Sequence, residues 1–295
     1  GNIGAAVTKL LAPVVMVAIG WTGVAKVWAV ALAVVALLYF FTTKDEPDLV
    51  KRKAQGVAPV PFLTQMAPLR SLRVWRFALY YFFVFGAFVA LALWLPRYLV
   101  GAYGLDLKTA GMIAAAYSIP ASLFRIVGGW ASDKYGARKV MYWTFIGAAI
   151  CTVLLSYPST SYVLDGIRGP VEFRLAMGLV PFTILVFTLG FFMSLGKAAV
   201  YKHIPEYYPT NVGSVAGVVG MIGGLGGFVL PIVFGMLNDW IGVWTSCFML
   251  LFVLVSVALT WMHFAIRRME LERHPEMARD TDLPEIMQGQ PLKSP

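Results

Sequence analysis

Long uncharged apolar runs separated by polar segments dominate the chain. A run of about 18 residues or more, coiled as a helix, crosses the roughly 30 Å of a bilayer's hydrocarbon core. Eight such runs predict helices at residues 3–20, 24–41, 76–99, 109–131, 140–157, 175–196, 212–236 and 243–265. Each is apolar throughout rather than at every second position, which predicts helices and not the strands of a barrel. The connections are short except for residues 42–75, where Lys44, Lys51, Arg52, Lys53, Arg70 and Arg73 lie among Pro47, Pro59, Pro61 and Pro68. This stretch predicts a linker between bundles. Residues 1–41 then form the last two helices of a first bundle, 76–266 a second bundle of six helices, and 267–295 a polar tail.

Composition closes off the other classes. The 295 residues are 59% hydrophobic and 13% charged, whereas soluble domains carry about 25% charged residues. Such a chain is neither a soluble domain nor disordered, and its fold class is all-α, a polytopic membrane protein. Cys151 and Cys247 both fall in apolar runs, where cysteine behaves as a small hydrophobe, so neither a disulfide nor a metal site is expected. No cofactor is expected either. The first residues show no signal peptide, because Gly1 to Thr8 lacks a basic region before its apolar stretch.

The net charge of +9 is a matter of topology. Placing the linker in the cytoplasm puts 17 Lys and Arg residues on that side and five on the other, as the positive-inside rule requires. Linker and tail are therefore expected in the cytoplasm, with no nucleic-acid partner. Two helices before the linker and six after it predict a chain that lacks roughly the first four helices of a two-bundle protein.

Three segments carry candidate chemistry. The first, Gly129-Trp-Ala-Ser-Asp133-Lys-Tyr-Gly136-Ala-Arg138-Lys139, fits G-x-x-x-D-x-x-G-x-R-K at a cytoplasmic turn. There Gly129 allows close helix approach and Gly136 a tight turn, while Asp133 pairs with Arg138 or a neighbouring helix end as a conformational latch. The second is Arg125, within an apolar helix and too deep for an ordinary end charge. Burying it costs roughly 2.5–3.5 kcal/mol at a helix centre. Its planar fork suits an oxyanion, and the bland alternative is a side chain that snorkels to the interface. No acidic residue lies deep in any predicted span. The third segment packs Gly213, Gly217, Gly220, Gly223, Gly224, Gly226 and Gly227 into 15 residues, which permits tight helix contact, local unwinding, or both.

The run Gly1-Asn2-Ile-Gly4…Ala12-Pro13, together with that glycine-rich run, resembles the paired signature segments of the nitrate/nitrite porter family, a NarK-like branch of the major facilitator superfamily. The resemblance implies a major facilitator fold and transport of nitrate, with nitrite and protons as further partners, by a monomer in the lipid bilayer of a bacterial-type inner membrane. It implies substrate roles for Arg125, Tyr81, Phe85 and Asn2, with the two rings hydrogen-bonding and sandwiching the ion, and signature roles for Gly1 and Gly4. Gly196-Lys-Ala-Ala-Val-Tyr-Lys-His-Ile-Pro resembles the proton-linked branch, and exchange of nitrate for nitrite is the alternative. Transport of another small anion is a further alternative, disfavoured because Arg125 is the single cation expected away from the ends of the six later spans. His203 and His263 are expected at interfaces, and Lys9 has no assigned role. An enzyme would show clustered His, Cys or carboxylates near a span end, and none is apparent.

Overall fold

The computed structural model describes residues 2–44, 54–56, 61–209 and 211–273. Its long helices are α1 (Asn2–Thr42), α2 (Leu72–Tyr103), α3 (Leu107–Tyr135), α4 (Ala137–Leu155), α5 (Leu179–Tyr207), α6 (Val212–Ile241) and α7 (Ser246–Arg273). Among the described residues seven stretches are long and apolar enough to cross a membrane.

Eight had been expected, and α1 explains the difference. Gly20 breaks it at φ 75°, ψ 172°, a conformation that suits a residue without a Cβ. Trp28 Nε1 donates to Thr8 Oγ1 at 3.1 Å. Twenty residues along a straight helix lie about 30 Å apart, so this bond requires the two limbs to fold back on each other. The limbs match the predicted runs 3–20 and 24–41, but the stretch that qualifies as a span is Val15–Thr42.

Helices α2 to α7 interlock. α3 packs along α5, α5 along α4, α4 along α7, and the middle of α2 along α6, while α1 lies against α3. Val84, Leu91, Phe145, Leu189, Met193, Val219 and Phe248 are fully enclosed. Phe40, Phe41, Phe228, Trp240 and Phe264 point outward. Lipid is as apolar as leucine, so close fit between helices, more than transfer out of water, holds such a bundle.

The ends of the helices depart from the apolar runs. α5 continues to Tyr207, although its run predicted an end at 196, because Lys197 and Lys202 sit among good helix formers and a charge does not stop a helix. Residues 158–174, expected as a loop, hold a hairpin of β1 (Thr160–Gly166) and β2 (Gly169–Leu175). The strands pair antiparallel from Thr160↔Leu175 to Gly166↔Gly169, and Tyr162 stacks on its partner Phe173 at 5.2 Å. Leu175 belongs to β2, so α5 starts at Leu179 and not at 175. At the start of α3, Thr109 bonds through side chain and backbone N–H to Asp106, which holds that carboxyl below the usual carboxylate range. Gly1, most of the linker and residues 274–295 lie outside the described residues.

Candidate functional site

Arg125 projects from the middle of α3, five residues beyond Pro120, through which the helix continues. Around that proline Ser118 Oγ donates to Ala114 O at 3.1 Å and Ser122 Oγ to Ser118 O at 2.7 Å, so the hydroxyls are satisfied within the helix. The Arg125 side chain is exposed, and its Cζ stands 6.0 Å from the centre of the Tyr201 ring on α5. Its charge also acts on the Tyr81 hydroxyl and on Lys197. Among the described residues no carboxylate forms an ion pair with it.

Tyr81 and Phe85 come from α2 at i, i+4 and share a face, as expected. Their rings stack on each other at 5.0 Å and 12°. Rings in mutual contact leave no ion-wide gap, so the pair does not sandwich a substrate in this conformation; it builds one wall. Tyr201 meets Tyr81 edge-on at 4.9 Å and extends that wall toward Arg125.

Between and beyond the two rings α2 forms a π-helical segment, Phe82–Ala87. Such segments are costly and recur at functional sites. Here it presents Gly86 to the backbone of α6, where a Cβ on Gly86 would lie 2.7 Å from Gly223 O and 2.8 Å from Gly226 Cα. The glycine stripe of α6 has the matching shape. Added Cβ atoms at Gly220, Gly223, Gly226 and Gly227 would strike the Tyr201 hydroxyl, the Tyr81 ring, Gly86 with Phe82, and Val89 respectively. Gly213, Gly217 and Gly224 meet nothing within 4 Å, so close packing accounts for four of the seven. Nor does the cluster unwind, because α6 is continuous from Val212 to Ile241 and the irregular turn lies in α2. Asn2, Gly4 and Lys9 are placed only as backbone positions of α1, and Gly1 lies outside the described residues.

Two residues that the apolar runs had assigned to a loop belong to this neighbourhood. Tyr201 is one. Lys197 is the other, a fully buried lysine one helical turn before Tyr201. His203, expected at an interface, is also buried, stacked on Phe77 at 6.0 Å. It lines a cavity of about 20 Å³ with Arg76 and Arg138, room for about one water and remote in sequence from the Arg125 turn. The signal for Lys197 and Tyr201 was the helical spacing of Lys197, Tyr201 and Ile204, which continues one face of α5 past the last uncharged position.

In the charged turn, Asp133 pairs with Lys202 near the end of α5, the neighbouring-helix option. Gly136 makes the turn at φ 87°. Gly129 does not serve close approach, since nothing lies within 4 Å of its Cβ position; the adjacent Gly128 does, with Leu195 backbone at 2.7 Å. Both ends of the Asp133–Lys202 pair are about half exposed, at 62% and 49%. A double-mutant cycle of Asp133→Asn and Lys202→Gln is expected to show a stability coupling of about 0.2–1 kcal/mol that shrinks in high salt. A salt-independent coupling in thermal melts would contradict that.

Six interlocked apolar spans, with an arginine opening from their middle beside aromatic rings, define the class as a helical membrane protein. A family model of the Major Facilitator Superfamily matches residues 1–180 and 102–294, and the chain belongs to that superfamily of transporters. It is 41% identical to the protein of Thermus thermophilus named probable nitrate/nitrite antiporter NarK1, over 96% of this chain and 66% of the relative. The nitrite extrusion protein of Bacillus subtilis is 32% identical over 90% of this chain and 62% of its own length. The probable nitrate transporter NarT of Staphylococcus epidermidis is 30% identical over 89% and 61%. The chain thus spans just under two thirds of the length of these relatives. Among solved structures, the major facilitator transporter FucP in its outward conformation matches with a TM-score of 0.54 at 18% identity, over 82% of this chain and 54% of that one, which bears on the fold alone. Family membership agrees with the reading as a multi-pass membrane transporter and not an enzyme.

Proposed function

We propose that this chain carries the second bundle of a nitrate and nitrite transporter that works by alternating access. The observation that carries the reading is the Arg125 guanidinium, which opens from the bundle beside Tyr201 and Tyr81 with no carboxylate paired to it among the described residues. A planar fork of donors matches a small planar oxyanion, and a low-dielectric surrounding strengthens the bond. Lys197 is enclosed, so among the described residues Arg125 is the exposed cation beside these rings. The names of the relatives support these two ions: nitrate and nitrite for the Thermus protein, nitrite for the Bacillus one and nitrate for the Staphylococcus one.

In this reading residues 1–41 end the first bundle and 76–266 form the second. The linker (42–75) and tail (267–295) face the cytoplasm of a bacterial-type inner membrane, as do Gly129, Asp133, Gly136 and Arg138 of the latch. Asn2 contributes to the substrate site, Gly1 and Gly4 keep the signature role that the resemblance implies, and the transporter acts as a monomer. Transport is proton-linked nitrate uptake. Exchange is the second reading, favoured by the antiporter name of the Thermus relative. Nitrate uptake by the full-length protein in proteoliposomes separates them. Accumulation into empty vesicles that follows an inward proton gradient is the expected result, a strict need for internal nitrite would establish exchange, and no nitrate flux under either condition would refute the substrate.

A further inference from the structure

Lys197 is a buried ionisable group that anion recognition by Arg125 leaves without a task. Its side chain is fully enclosed, its Nζ has no hydrogen-bond partner, and that nitrogen lies 3.0 Å from the centre of the Phe88 ring. The surroundings hold other orphaned polar atoms. Phe88 stacks on Tyr117 at 5.1 Å, and the Tyr117 hydroxyl is buried without a partner. Thr144 Oγ1 on α4 is likewise unpartnered, and its side chain packs against Gly196 beside the lysine.

The charged groups facing Lys197 are few. From α3 they are Arg125, which acts on it directly, with Tyr117 as the nearest ionisable hydroxyl. α2 offers Tyr81 beyond Tyr201, while Tyr80 and the Tyr142 of α4 belong to a separate cluster with Arg76 and Tyr207. On α4 the remaining ionisable groups are Arg138 and Lys139 at one end and Cys151 toward the other, and α6 carries only Asp239, at its far end. Among the described residues, an ammonium at this place has a cation as its charged neighbour and no counter-charge. Burying a charge so is costly unless an opposite charge accompanies it. An anion held by Arg125 is such a charge.

We propose that Lys197 is the proton-binding site of the transporter, taking up a proton when the anion binds and releasing it when the anion leaves. The inference rests on the oxyanion reading above and adds the group through which a proton travels with the substrate. The linkage is reciprocal: an anion favours the ammonium by the same factor as the ammonium favours the anion. A monovalent anion and one proton together leave the net charge of the bundle unchanged between its empty and loaded states. The proton moves between Lys197 Nζ and water at whichever face is open, and no covalent bond other than N–H forms or breaks.

The test uses the full-length protein, nitrate as probe, and the variants Lys197→Met and Lys197→Arg. Three quantities are read: protons taken up on nitrate binding in detergent, nitrate accumulation driven by a proton gradient, and nitrate counterflow at equal pH. The wild type is expected to take up about one proton per nitrate. Lys197→Met retains counterflow at saturating nitrate, binds nitrate more weakly, takes up no proton, and loses gradient-driven accumulation at least about tenfold, within the usual span of coupling between sites. Lys197→Arg, permanently charged, also binds nitrate without proton uptake. Gradient-driven accumulation at the wild-type level in either variant overturns the proposal. So does parallel loss of counterflow and accumulation in a folded Lys197→Met protein, which would make the lysine an anion ligand or a packing element. If neither variant folds, nitrate binding to the wild type with no proton uptake overturns it. Absence of nitrate counterflow in the wild type refutes the substrate reading itself, and this proposal with it.

Discussion

Arg125→Lys is expected to lower kcat/KM for nitrate by roughly 10- to 150-fold while leaving thermal stability unchanged. The argument starts from geometry. Arginine offers two parallel N–H donors to a planar oxyanion, whereas lysine offers a point charge on a flexible stem. A hydrogen bond to a charged group contributes about 1.5–3 kcal/mol, and each 1.36 kcal/mol is tenfold in rate, so loss of one arm of the fork gives that range. Folding is spared because the side chain is exposed and no carboxylate depends on it. A weak contact with Tyr201 at 6.0 Å is available to an ammonium as well. The loss is expected mainly as raised KM if Arg125 binds the ion equally in ground and transition states, and in kcat if the fork tightens only as the bundles rock. Wild-type uptake by the lysine variant would remove Arg125 from the site.

The arginine was legible in the sequence because a charge within an apolar run stands out against its neighbours. Lys197 and Tyr201 were hidden by the same rule. A run that ends at the first charge assigns every later residue to a loop, yet α5 carries its buried face onward to Tyr207. Helical periodicity, with Lys197, Tyr201 and Ile204 on one side, was the better guide than absence of charge. The hairpin was missed for a related reason. Thr160–Gly166 and Gly169–Leu175 are short, mixed in polarity and mostly exposed, and only the two glycines flanking Ile167-Arg168 mark the turn. The fold as a whole was easier, because a span needs only length and apolarity. The glycine-rich run was visible as a pattern, but a pattern does not say which glycines face a neighbour. That depends on which side of α6 meets α2, and the answer is the side bearing Gly223, Gly226 and Gly227. Gly128 and Gly129 make the same point at one residue's distance, since a step of one turns the helix by more than a quarter of a circle.

Gly86→Ala is expected to destabilise the bundle by about 1–3 kcal/mol, a fall of roughly 2–12 °C in melting temperature, and to reduce transport sharply. Its new methyl would sit 2.7–2.8 Å from backbone atoms of Gly223 and Gly226, which cannot swing aside as the tip of a side chain can. The two helices must separate or the π-helical turn must shift, and that turn adjoins Tyr81 and contains Phe85. Stability and the aromatic wall therefore suffer together. Gly223→Ala acts differently. Its Cβ would meet the Tyr81 ring at 2.3 Å, and a ring can be displaced where backbone cannot, so transport should fall more than stability does. Gly224→Ala is the control on the same helix, with nothing within 4 Å. Alanine is the better helix former by about 0.5–1 kcal/mol, so this variant should melt no lower than the wild type. Equal destabilisation by Gly86→Ala and Gly224→Ala would contradict the division of the glycines drawn from the α2–α6 contact. A tolerated Gly86→Ala would mean that the two backbones do not approach this closely, and the aromatic wall would then need another support.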